Sequence, residues 1–171
     1  MLKRAIFLMG CCSLVLAAAG TSLAESDFHC DFLAQLSAST VGPKPAQTDA
    51  NGEVYFFLSP DGNELAYQVV VDQIEDVYMA HLHVGPKNHQ GPIVVWLYPA
   101  KTERPTRSTF NQGELASGVI YRQQLRGPLA GMTLAELVEA LQNGQAYVNI
   151  HTNKHIMGEL RGQVYPTFAG Y

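Results

Sequence analysis

Alternation of apolar and polar positions begins at Phe28. Phe28, Cys30, Phe32, Ala34 and Leu36 alternate with His29, Asp31, Leu33 and Gln35, a period of two with one apolar exception, which predicts a strand with Cys30 turned inward. A loop follows over 37–51, where Gly42-Pro43 and Pro45 interrupt the pattern and proline has no proton to give a ladder. Residues 52–58 and 64–71 are two more β-type runs joined by Ser59-Pro60-Asp61-Gly62-Asn63, a turn sequence, so together they predict a hairpin. Tyr78-Met79-Ala80-His81-Leu82-His83-Val84 is a further strand, closed by a turn-rich loop over 85–91. Residues 92–98 are almost unbroken apolar sequence, the pattern of a strand covered on both faces, and predict a central place in the sheet. A polar excursion over 99–112, a strand within 115–125 centred on Val119-Ile120-Tyr121, and two last strands at 145–151 and 158–165 complete the β pattern.

Only around 133–143 does the period become helical. Leu134, Leu137, Val138 and Leu141 form one stripe, Thr133 and Glu136 have the spacing of a capping box, and Gly144 stands where a helix ends. Seven or eight strands with one short helix predict an all-β antiparallel sandwich, Greek-key-like.

The first 24 residues lie outside that pattern. Lys3 and Arg4 precede an apolar run from Ala5 to Ala19, and Ser22-Leu23-Ala24 supplies small residues for cleavage, so 1–24 reads as a signal peptide and 25–171 as one exported domain, periplasmic or extracellular. Leu8-Met9-Gly10-Cys11 loosely resembles a lipobox, but the methionine and the short apolar run before Cys11 argue against a lipid anchor there. No other stretch approaches the roughly 20 apolar residues of a membrane span. The net charge of −4 becomes two units more negative once Lys3 and Arg4 leave, which excludes nucleic acid or an anionic membrane as a partner drawn by long-range charge. Cleavage removes Cys11 and Cys12, so Cys30 has no internal partner and stability rests on packing.

Histidine is where the pattern carries chemistry. His81 and His83 share one strand face, about 6.6 Å apart along it, and His151 ends the late strand Tyr147-Val148-Asn149-Ile150-His151. Glu159 and Arg161 are likewise two apart on one strand. One reading joins the three histidines to Glu159 and Arg161 in a structural polar cluster at a sheet end, each group satisfying another. The other is a copper or zinc site on His81, His83 and His151, its fourth position left to water or His155. No Gly-x-Ser-x-Gly elbow or paired nucleophile is present, and no enzyme activity is expected.

Three blocks in order also carry a family resemblance. Ala34-Gln35-Leu36 with Gly42-Pro43, then Ala80-His81-Leu82-His83-Val84-Gly85 with Gly91-Pro92-Ile93-Val94-Val95, then Tyr147-Val148-Asn149-Ile150-His151-Thr152 with Gly158-Glu159-Leu160-Arg161-Gly162-Gln163 resemble the CHRD domain over about 32–164. The domain is named for chordin, an extracellular binding protein, and the family has no generally established chemistry. The resemblance therefore implies a non-enzymatic extracytoplasmic binding or structural module. This chain departs from the family pattern at Gln90, where asparagine is frequent, and Asn88-His89 adds an imidazole. A narrower likeness is to copper-zinc superoxide dismutase, whose copper ligands include a His-x-His strand and a late-strand histidine, matched in type and order by His81, His83 and His151. The zinc loop and disulfide of that enzyme have no counterpart, so this likeness implies a metal without dismutase chemistry. A protein partner, if the domain is an adhesion or scaffold module, is expected on the 99–112 or 42–51 segments.

Overall fold

The computed structural model describes residues 30–39, 45–99 and 112–167. The strands are β1 (Phe32–Ala38), β2 (Asn51–Leu58), β3 (Leu65–Asp72), β4 (Val77–Val84), β5 (Ile93–Tyr98), β6 (Gln112–Ile120), β7 (Ala146–Thr152) and β8 (Leu160–Pro166), with one helix, α1 (Leu134–Gln142). They form one antiparallel sheet in the order β5-β4-β7-β8-β1-β2-β3-β6, curled until it is nearly a barrel. The signal sequence, the first residues of the alternating run and nearly all of the 99–112 excursion lie outside the described residues.

Alternation explains most of the interior. Phe32, Ala34 and Leu36 of β1, Val54 and Phe56 of β2, and Leu65, Tyr67, Val69 and Val71 of β3 are buried at every second position. Ala80 and Leu82, Val148 and Ile150, and Leu160 and Val164 continue that surface through β4, β7 and β8. Each Val, Leu, Ile or Phe side chain among them contributes roughly 1.5–3 kcal/mol when fully buried. The helix adds Leu134, Leu137, Val138 and Leu141 to the same core. Its capping box forms as expected: the Thr133 hydroxyl and the Glu136 carboxylate each take an otherwise orphaned amide. Cys30 is buried and unpaired.

Two expectations need correction. The apolar run of β5 predicted a central strand, yet β5 ends the hydrogen-bonded order beside β4 alone. It is covered on both sides because the curled sheet brings β6 against it and a chain segment folds over its free edge, where Arg126 N–H donates to the Val94 carbonyl at 2.9 Å. The strand sought within 115–125 starts earlier and stops at Ile120. Two short 3-10 turns, Arg122–Gln124 and Gly127–Leu129, take its place, the first held by the Gln124 side chain accepting from Tyr121 N–H at 2.8 Å.

Candidate metal centre

Because Leu82, Val148 and Leu160 point inward, their strand neighbours point out. The register sets His81 opposite Asn149 and Asn149 opposite Arg161; one step along, His83 faces Tyr147 and Tyr147 faces Gln163. His151 stands diagonally from His81, opposite Met79. The histidines thus lie on the outer face of the sheet rather than at its end, yet His81 and His83 are only 1% and 8% exposed. The loops 85–91 and 153–158 supply the carbonyls that bond His83 and His151 there.

The three imidazoles converge. One nitrogen from each of His81, His83 and His151 lies within 4.8 Å of the other two, the only such His, Cys, Asp or Glu trio among the described residues. A tetrahedral ion with bonds of about 2.0–2.1 Å sets nitrogens roughly 3.4 Å apart, so closure needs at most about 1.4 Å of side-chain adjustment. His83 Nδ1 lies 2.9 Å from the Gly91 carbonyl and His151 Nδ1 2.9 Å from the Ile156 carbonyl. A carbonyl only accepts, so each Nδ1 carries the proton and each Nε2 is left as an acceptor, that of His151 lying 3.4 Å from the Asn149 amide nitrogen, which donates to it. A protonated Nδ1 on a carbonyl is the arrangement that orients histidine toward a metal. His83 Nε2 has no partner. Both ring nitrogens of His81 are buried and without a hydrogen bond. A buried polar atom left in that state costs about 1–3 kcal/mol.

Neighbouring aromatics fix these rings. Trp96 meets His81 edge-on, with centroids 4.3 Å apart, and Tyr147 stacks on His83 at 4.7 Å with planes only 7° apart. Burial first, then the neighbouring His151 and His83, pull the pKa of His81 down to about 3. Burial likewise takes His83 to about 4 against the opposing Gly91 hydrogen bond, and burial also lowers His151. All three are therefore neutral near pH 7, the form that ligates a metal.

Glu159 and Arg161 do not join this cluster as a pair. The Glu159 carboxylate, in the residue before β8, accepts hydrogen bonds from Thr48 at 2.6 Å and Thr152 at 2.5 Å. The Arg161 guanidinium lies 3.3 Å above the Tyr147 ring centroid and donates to the His89 carbonyl at 2.8 Å. Two residues apart in sequence did not mean one face, because Glu159 precedes the regular strand and Gly158, at φ +119°, redirects the chain there. A Cβ on Gly158 would also fall 2.3 Å from Asn149 Oδ1, which makes glycine obligatory beside the site. His155 is outside the converging trio; its Nε2 is buried without a partner, and its backbone N–H donates to Thr152.

Sequence reasoning passed over Trp96, Tyr147 and Asn149 as site residues. Period two already places Tyr147 and Asn149 on the face of His151, whereas Trp96 reaches His81 only through the β4–β5 register. Among proteins of known family, a model described as CHRD domain matches residues 32–164. No curated protein and no solved structure matches the chain.

Proposed function

The chain belongs to the CHRD domain family, and we propose that this member is an exported, non-enzymatic module that binds one copper or zinc ion on His81, His83 and His151. The observation that carries the reading is His81, whose two ring nitrogens are buried with no hydrogen-bond partner beside two other imidazoles. A purely structural cluster would satisfy its buried groups internally. Here Glu159 is engaged by threonines and Arg161 by Tyr147 and a carbonyl, so neither relieves His81. A metal supplies what is missing, because it takes a lone pair from each ring while the Gly91 and Ile156 carbonyls hold the opposite nitrogens of His83 and His151. Neutral imidazole suits Cu(II) and Zn(II) alike. The fourth position is assigned to water. The signal-like sequence of 1–24 supports the exported part of this reading, in which the site meets metal outside the cytoplasm.

The test is a metal titration of tag-free protein. The sequence has a single tryptophan, Trp96, packed on His81, so binding has its own optical reporter. One equivalent of Cu(II) quenches its emission, one equivalent of Zn(II) competes, and His83→Ala abolishes both responses while His29→Ala and His89→Ala leave them intact. Absence of stoichiometric uptake by the wild type, with His83→Ala merely less stable in metal-free buffer, returns the cluster to a structural role.

A further inference from the structure

Tyr147 separates the histidines on β4 from a cavity of about 570 Å3 on the other side, between the outer faces of β1 and β8 and the loop carrying Lys87 and Asn88. Two cations, Arg161 and Lys87, border this cavity, and its described lining contains no carboxylate. In a chain of net charge −4, an unbalanced pair of cations at one concave site stands out. Arg161 is also held in place: its guanidinium rests on the Tyr147 ring and spends one donor on the His89 carbonyl. Guanidinium has five N–H donors in a rigid fork that matches a carboxylate, so the remaining donors form a pre-organised anion receptor. Gln35 and Ser37 add polar groups to the wall, whereas Leu33, Tyr165 and Pro166 make part of it apolar. The volume lies within the roughly 300–1,000 Å3 of small-molecule sites, and an inorganic ion would leave the apolar wall uncovered.

We propose that this cavity binds an organic carboxylate, with the anionic end on Arg161 and Lys87 and the apolar body against Leu33, Tyr165 and Pro166. The site is independent of any metal. The anion is recognised by charge and fork geometry, and the body by shape, so a neutral isostere of the same outline binds much less well.

Benzoate and its neutral isostere benzamide are titrated into the metal-free full chain and followed by backbone amide chemical shifts. Benzoate is expected to give saturable shifts at Asn88, Gly162 and Gln163, with benzamide about tenfold weaker or more. Lys87→Gln and Arg161→Gln each weaken benzoate by about threefold or more; because Lys87 is exposed, its variant keeps the fold and leaves copper quenching of Trp96 unchanged. Equal binding of the two compounds overturns the proposal, as does a response reproduced by sodium chloride at the same ionic strength or no saturable shift up to about 50 mM. Since the titration contains no metal, its outcome is separate from that of the histidine site.

Discussion

His83 and Gly91 are joined across the loop between β4 and β5 by a 2.9 Å hydrogen bond from the imidazole Nδ1 to the backbone carbonyl. The same glycine receives Tyr147: its amide donates to the phenolic oxygen at 2.9 Å. One backbone unit therefore fixes both the tautomer of His83 and the ring stacked against it. A Cβ at Gly91 would lie 1.8 Å from the Val84 carbonyl oxygen, a backbone atom with little room to move. Gly91→Ala is expected to cost about 3 kcal/mol or more and to weaken metal uptake, since the loop must shift away from β4. Denaturant melts and the Trp96 titration measure the two effects. A variant within about 0.5 kcal/mol of wild type would mean the loop accommodates a side chain freely.

Stability should depend on pH through the buried imidazoles. His81 and His83 stay neutral in the folded chain down to about pH 3 and 4, whereas in the unfolded chain histidine takes up a proton near 6.5. Below about 6.5 the unfolded state binds more protons, so stability falls with pH, by up to about 1.4 kcal/mol per pH unit for each proton. Above that point these groups contribute no slope. Melts of metal-free protein at intervals from pH 7.5 to 5 read the effect, and a flat profile would show the imidazoles to be solvated. The same depressed values carry metal retention to lower pH than the limit near 6 expected of exposed histidines, so the loaded site should persist to about pH 5.

Replacing Arg161 and Glu159 should rank them in an order that their spacing alone did not suggest. Arg161→Ala removes a cation–π contact and one hydrogen bond but strands no carboxylate, so a loss of about 1–2 kcal/mol is expected instead of the 3–5 of a broken buried pair. Glu159→Ala takes the acceptor from the Thr48 and Thr152 hydroxyls, the second on a fully buried residue, and should cost about 2–4 kcal/mol. Paired denaturant melts decide the order. A larger loss for Arg161→Ala would mean that the guanidinium supports more of the outer face than its two contacts indicate.

Cys30 should resist labelling in the native state. It is 7% exposed on the inward side of the segment leading into β1, and attack on a thiol reagent needs an accessible thiolate. Labelling is expected only with denaturant. Rapid reaction of the folded protein would place that segment the other way round.

Alternation and capping are local, and they determined a great deal. Phe32, Ala34 and Leu36 had to share one face, as did His81 and His83, because strand side chains alternate; Thr133 and Glu136 had to start a helix, because their spacing satisfies its first amides. The order of motifs likewise carried the family. What the sequence could not decide is which partner each face meets. Both faces of β4 and β7 are largely buried, so periodicity alone did not say that Leu82 and Val148 fill the core while the histidines lie beneath two loops. The apolar run of β5 described full coverage, but coverage by β6 and a 3-10 segment looks the same in sequence as coverage by flanking layers. Glu159 and Arg161 parted because a glycine with positive φ redirects the chain just before β8, and Trp96 came to His81 through an irregular register between two strands. Those contacts depend on how separate elements are aligned in space, which the tertiary structure alone decides.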